Sequence, residues 1–301
     1  MPAKPYPVSQ GNRQLTAVAW GVTILTSSLP DILCAEFLKA GPLWLPYAKM
    51  GLLLTLALAA LAWKPLRPLR TFFTMLFLFF GLLRLWTHFD FTWPALQSLF
   101  GASVFDARMQ AEQTGKFVLS LAMMAALLIL GYRRREFFLA RGDLRTPIEP
   151  VRWLGFPKPD PWPRFALQWG LYIAVALSVV QYLGMRPTGA TLVRVLPILP
   201  SILFYAALNA FNEEMTYRAP MLATLEPVGG SRHALWMSAW FFGIAHYFGT
   251  PGGLMGGIAS IFMGWILGKA MLETRGLFWA WWIHFLSDVV IFTFLTAAML
   301  R

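Results

Sequence analysis

Two adjacent glutamates and an arginine, Glu213-Glu214-Met215-Thr216-Tyr217-Arg218, stand inside an apolar run from about residue 200 to residue 225. On insertion scales a charge near the bilayer centre costs about 2.5–3.5 kcal/mol, so such groups face a partner or a water-filled cavity. On a helix, Glu214 and Arg218 are four residues apart, share a face and can pair. Glu213 points about 100° away from Glu214. This predicts a division of labour, with Glu214–Arg218 as a strut and Glu213, lacking an obvious counter-ion, as the free base. Two of the four histidines also lie inside apolar runs. His246 closes Phe242-Gly243-Ile244-Ala245-His246, and His284 opens His284-Phe285-Leu286-Ser287-Asp288, where His and Asp share a face. Taken singly, each has a structural explanation: an intramembrane His that packs and hydrogen-bonds, a Glu pair that forms a buried ion cluster. Together, two Glu, one Arg, two His and one Asp within about 75 residues on three hydrophobic helices are the parts of a hydrolytic site.

Hydrophobic helices must position these groups. The chain has 301 residues, 57% hydrophobic and 13% charged, about half the charged share of a soluble domain. Its long apolar runs do not alternate as barrel strands do. They predict an all-α polytopic integral membrane helical bundle with about eight or nine transmembrane helices. Expected spans cover about residues 15–29 (extending towards 37), 43–63, 71–86, 117–132, 165–185, 200–225, 233–248, 254–272 and 277–299. Residues 96–109 read as a short amphipathic helix at the outer interface. Three parts follow: N-terminal helices over 1–132 with no assigned role, a basic Pro-rich linker over 133–164 along the membrane surface, and a catalytic core over 165–301. Trp153 and Trp162 are expected as interfacial anchors of the linker.

The net charge is +11. Its cations flank apolar runs and form no separate basic domain, which excludes nucleic acid as a partner. Clusters at residues 1–14, 64–70, 133–164 and 269–275 fall on one side and predict a cytoplasmic N-terminus. Residues 1–14 read as the start of an uncleaved signal anchor, and residues 297–301 are no prenylation box. Cys34 is the only cysteine, which excludes intramolecular disulfides and cysteine-built zinc sites. Gly256, Ser260, Gly264 and Gly268 form a small-residue ridge that lets neighbouring helices approach. Counted along each helix from its cytoplasmic start, His246 lies about 20 Å deep and His284 about 10 Å. The two meet only if the helices tilt or the loop boundaries are off by a turn.

Glu213-Glu214 with Arg218, Phe242 with His246, and His284 with Asp288 resemble, in order and spacing, the motif set of the type II CAAX prenyl endopeptidases of the CPBP, or Abi, group. The resemblance covers about residues 195–299. It implies a glutamate-type intramembrane protease that needs no metal. In that scheme Glu213 is the general base and holds the attacking water with His246. His284 and Asp288 bind the carbonyl oxygen, and Glu214 and Arg218 support the base. The prenyl endopeptidases carry Asn where this chain has Asp288, which leaves a lipidated tail and another membrane-inserted tail equally open as substrate. An Asp there is expected to accept from His284 and fix its tautomer, as in a catalytic triad.

The expected function is therefore hydrolysis near the C-terminus of a membrane-inserted or lipidated protein. The setting is a bacterial-type inner membrane, and the partners are that substrate and the bilayer. Three alternatives remain at this stage. The same residues could ligate zinc in a metalloprotease, although no His-Glu-x-x-His is present. The polar cluster could brace a non-enzymatic immunity or scaffold protein. A proton-relaying transporter is the third, without paired broken helices in related halves to support it.

Overall fold

A computed structural model of the chain describes residues 12–39, 41–97 and 103–300. The signal-anchor expectation for residues 1–14 falls almost wholly outside that range, as do residues 98–102 of the expected interfacial helix. Twelve α-helices are assigned among the described residues: α1 Arg13–Thr26, α2 Leu29–Leu38, α3 Leu45–Ala62, α4 Arg70–Trp86, α5 Pro94–Gln97, α6 Val104–Ile129, α7 Trp162–Met185, α8 Gly189–Val195, α9 Leu199–Glu213, α10 Ala219–Ala245, α11 Gly253–Thr274 and α12 Phe278–Met299. Seven helical runs are long and apolar enough to cross a membrane, or eight if the bent pair α1–α2 is one span. One run, residues 189–248, is 60 residues long. A straight helix of that length would measure about 90 Å, three times the hydrocarbon thickness. It breaks at Gly230, whose φ of 78° and ψ of 166° leave the helical region. With its two arms counted separately, the chain is the all-α, multi-pass integral membrane bundle that its composition predicts.

The break between α1 and α2 bends the pair by 43°. Lys49 of α3 closes it by donating to the Ser27 carbonyl at 2.7 Å and to Asp31. A broken helix inside lipid needs such a partner, because water cannot satisfy its freed carbonyls.

Helix α6 departs from expectation. The expected short interfacial helix instead continues into a 26-residue helix whose first half turns Asp106, Gln110 and Gln113 inward. Ser103 caps it, its Oγ accepting from the Asp106 N–H at 3.0 Å. Asp106, Gln110 and Gln113 are buried. The serine followed three residues later by an acid is a capping-box signal, and it sets the helix start well before the apolar run begins.

The basic segment 133–164 is a strap packed onto the bundle rather than a loose linker. Asp143 N–H donates to the Thr274 carbonyl and Leu277 N–H to that of Ala140, both at 2.8 Å. Gly142, at φ +83°, lies so close to Gly276 that a Cβ on Gly276 would sit 2.3 Å from the Gly142 nitrogen. The strap's own Phe137, Phe138 and Ile148 are buried. Trp162 is no interfacial anchor: it is fully buried, its Nε1 donating to Glu273 at 2.9 Å. Trp153 is exposed, as an anchor would be. Arg275 pairs with Glu226 beside the Gly230 break, at 2.6 and 2.7 Å. The strap, the α11–α12 turn and the α10 break therefore share one end of the bundle.

The small-residue ridge of α11 faces α10. A Cβ on Gly264 would lie 3.2 Å from the Ala239 Cα, and one on Gly268 would meet Leu235 at 2.7 Å. Opposite them, a Cβ on Gly243 of α10 would fall 2.2 Å from the Ile261 nitrogen. These glycines let α10 and α11 touch backbone to backbone.

Candidate active site

The site forms where α6, α9, the end of α10 and α12 meet, about midway along the run from Leu199 to the Gly230 break. Helices α6 and α9 run parallel, since Gln113 contacts Asn209 and Lys116 contacts Glu213. Between α9 and α10 the chain makes one π-helical turn, Glu214–Arg218. Such wide turns concentrate at functional sites.

Glu214 and Arg218 form the expected pair, both fully buried, with the Arg218 guanidinium 4.6 Å from the centre of the Phe242 ring. His284 lies between the two glutamates. Its Nδ1 is 2.8 Å from Glu214 Oε1, and its Nε2 is 3.6 Å from Glu213 Oε2. Nε2 is also 3.6 Å from Asp288 Oδ2, beyond hydrogen-bond range. A carboxylate can only accept, so Nδ1 carries the hydrogen. The orienting partner of His284 is therefore Glu214, held in turn by Arg218, and not Asp288 as the i,i+4 spacing predicts. Asp288 is bound elsewhere: Asn209 Nδ2 donates to its Oδ2 at 2.9 Å.

His246 reaches the same place from α10. Its Nδ1 is 3.0 Å from the Phe242 carbonyl. That oxygen also only accepts, so the hydrogen is on Nδ1 and the Nε2 lone pair is free to face the cleft. The Phe242 ring touches both imidazoles, with centroids 4.5 Å from His246 and 5.9 Å from His284. The depths that disagree on paper thus coincide. Helix α12 starts against the strap, with Leu277 N–H on the Ala140 carbonyl and Trp279 Nε1 on that of Leu144.

One expectation fails. Glu213 has a counter-ion: Lys116 Nζ stands 3.0 Å from its Oε1. Lys116 comes from α6, outside the segment expected to hold the whole site. Around it lies a buried amide frame. Asn209 Oδ1 accepts from Lys116 at 2.7 Å and from Gln113 at 2.9 Å. Asn212 Nδ2 donates to the Gln113 carbonyl at 3.2 Å, and Ser120 donates to Asn212 Oδ1 at 3.3 Å. The signal for this frame was the polar stripe Gln113, Lys116 and Ser120, spaced to share one helix face.

Exposure separates the three carboxylates. The Glu213 side chain is 14% exposed, against 0% for Glu214 and 6% for Asp288. Glu213 is the most accessible of the three. Elsewhere between α6 and α9, a cavity of about 340 Å³ is lined by Thr114, Phe117, Phe204 and Leu208 among others, and by none of the six cluster residues. Among the described residues, no three His, Cys, Asp or Glu side chains are arranged to hold a metal ion.

Comparison with the curated proteins and with the solved structures gave no match. Residues 195–290, which contain Glu213, Glu214, Arg218, His246, His284 and Asp288, match the family model described as type II CAAX prenyl endopeptidase Rce1-like.

Proposed function

We propose that the protein is an intramembrane endopeptidase that hydrolyses a peptide bond near the C-terminus of a lipidated or membrane-inserted substrate. Glu213 is its base. The observation that carries this is the carboxylate of Glu213 set near two imidazoles whose Nδ1 hydrogens are each held by an acceptor. Glu213 and the His246 Nε2 lone pair both accept, so together they orient one water and draw its proton towards Glu213. The hydroxide attacks the scissile carbonyl carbon. Charge then develops on the carbonyl oxygen, where His284, as the imidazolium, donates from Nε2. The proton held by Glu213 passes to the leaving amine as the C–N bond breaks.

His284 as imidazolium also balances the cluster. Three buried carboxylates (Glu213, Glu214, Asp288) then face three cations (Lys116, Arg218, His284), with the more exposed Glu112 as a second partner of Lys116, which makes ionised groups tolerable in a low-dielectric bundle. Asp288, tied to Asn209, completes that balance and stands too far from His284 to set its tautomer. No metal enters this scheme. The cavity between α6 and α9, the helices that carry Lys116 and Glu213, offers apolar room for a substrate tail. The basic end of the bundle is assigned to the cytoplasm, and the membrane to a bacterial-type inner membrane.

The test is co-expression of wild type and Glu213→Gln, with the C-termini of membrane proteins compared by mass spectrometry. Shortened C-termini appear with wild type only. Identical termini with both proteins at equal abundance refute protease activity.

A further inference from the structure

The amide frame that holds Lys116 has no place in the chemistry so far, and it involves a residue from the half of the chain that the family match does not reach. An ammonium has three hydrogens. Here the ammonium donates to Asn209 Oδ1 at 2.7 Å and to Glu213 Oε1 at 3.0 Å, and Glu112 Oε1 stands 3.1 Å away as a further ion-pair partner. Asn209 is itself fixed from three directions, by Lys116 and Gln113 at its oxygen and by Asp288 at its nitrogen. Lysine is ordinarily a mobile point charge on a flexible stem, yet this one is clamped between two parallel helices. It grips one oxygen of Glu213, Oε1, and leaves Oε2 turned towards His284 Nε2.

We propose that Lys116 is a positioning residue of the active site: by holding Glu213 through Oε1 it aims Oε2 at the space between His246 and His284 where the water is activated. This rests on the endopeptidase function above. A glutamate has three rotatable bonds, and a carboxylate released from Lys116 would swing out of line with the water and the carbonyl. Misplacement by about 1 Å costs about 100-fold in rate. A cation that served only to neutralise Glu213 would not need the Asn209–Gln113 clamp, because charge balance is indifferent to which oxygen is held.

The experiment uses the full-length protein in proteoliposomes and an internally quenched peptide bearing a farnesylated cysteine followed by three residues. For Lys116→Ala, kcat falls about 100-fold with KM changed by less than about two-fold. Methylammonium, which carries N–H donors, restores at least about tenfold of the lost kcat; tetramethylammonium, equal in charge but without a donor, does not. The Lys116 side chain is 23% exposed, so a small amine can reach the emptied position. Wild-type kcat in Lys116→Ala overturns the proposal. So does equal rescue by both amines, which would mean that charge alone matters, or no rescue by either. If Lys116→Ala does not fold, Lys116→Gln carries the test, since its amide can still donate to Asn209. A fall in kcat at constant KM supports the positioning role, and an unchanged kcat overturns it. Glu213→Gln separates the two levels. If wild type cuts the peptide, Glu213→Gln does not, and Lys116→Ala matches wild type, only the role of Lys116 fails. If wild type leaves the peptide as uncut as Glu213→Gln does, cleavage of lipidated tails is refuted and the role of Lys116 with it.

Discussion

Removing Arg218 tests whether Glu214 is held as a strut. Both side chains are fully buried and face each other across the π-helical turn. Breaking a buried pair from one side costs about 3–5 kcal/mol, because the remaining charge stays in low dielectric without its partner. Arg218→Met also gives up the guanidinium contact with the face of Phe242 at 4.6 Å, about 1–2 kcal/mol for a desolvated cation–π pair. His284 Nδ1 still donates to Glu214 and offsets part of the loss, so a net destabilisation of about 4 kcal/mol is expected. Neutralising the survivor relieves it. Arg218→Met combined with Glu214→Gln is expected to be more stable than the sum of the single changes predicts, with a coupling of about 1–3 kcal/mol. The assay is denaturant unfolding of the detergent-solubilised protein, followed by fluorescence from its 14 tryptophans. Wild-type stability in Arg218→Met, or strict additivity in the double variant, would mean that Glu214 does not depend on Arg218. The orienting chain from Arg218 through Glu214 to His284 would then be refuted.

Three further outcomes are expected. Asn209→Leu strips an acceptor from Lys116 and Gln113 and a donor from Asp288; it lowers stability by about 2–4 kcal/mol in the same unfolding assay, and an unchanged midpoint would refute the amide frame. Gly243→Ala forces a Cβ to within 2.2 Å of the Ile261 backbone nitrogen and costs at least about 1–3 kcal/mol, whereas Gly51→Ala, with no atom within 4 Å of the new Cβ, leaves the midpoint where it is. Exhaustive chelation leaves peptide cleavage intact, since water is activated by Glu213 and His246 in the proposed scheme; loss of turnover that stoichiometric zinc restores would replace that scheme with a metal-dependent one.

The residue types of the six-membered cluster were legible in the sequence because charged and imidazole groups are costly in lipid and stand out against apolar runs. Glu214–Arg218 was readable from i,i+4 spacing alone. Partners on other helices were not. Asp288 is four residues from His284 and shares its face, yet Glu214 takes the close bond, because α9 and α12 pack with Glu214 nearer to Nδ1. Lys116 was hidden differently: it ends a stretch polar enough to resemble an interfacial helix, and only the Ser103 cap reveals that the helix begins 12 residues earlier. The 200–225 span was placed well, whereas the burial of Trp162 depended on the strap, whose contacts with residues 273–277 are long-range and leave no local pattern.

The site therefore joins two parts of the chain that the sequence separates. Residues 195–290 supply the groups that would act on water and carbonyl. Helix α6 supplies the cation and one amide, Gln113, of the frame that holds the Glu213 carboxylate still. A bare carboxylate inside a bundle is expensive and mobile. An ammonium locked to one of its oxygens offsets the first difficulty, and an amide frame locked to that ammonium removes the second. Since α6 contributes Lys116, Gln113 and Ser120 to a frame completed by Asn209 and Asn212 of α9, a fragment beginning after residue 164 would keep all six cluster residues and lose the clamp. Such a fragment is expected to lack turnover even where it inserts and folds.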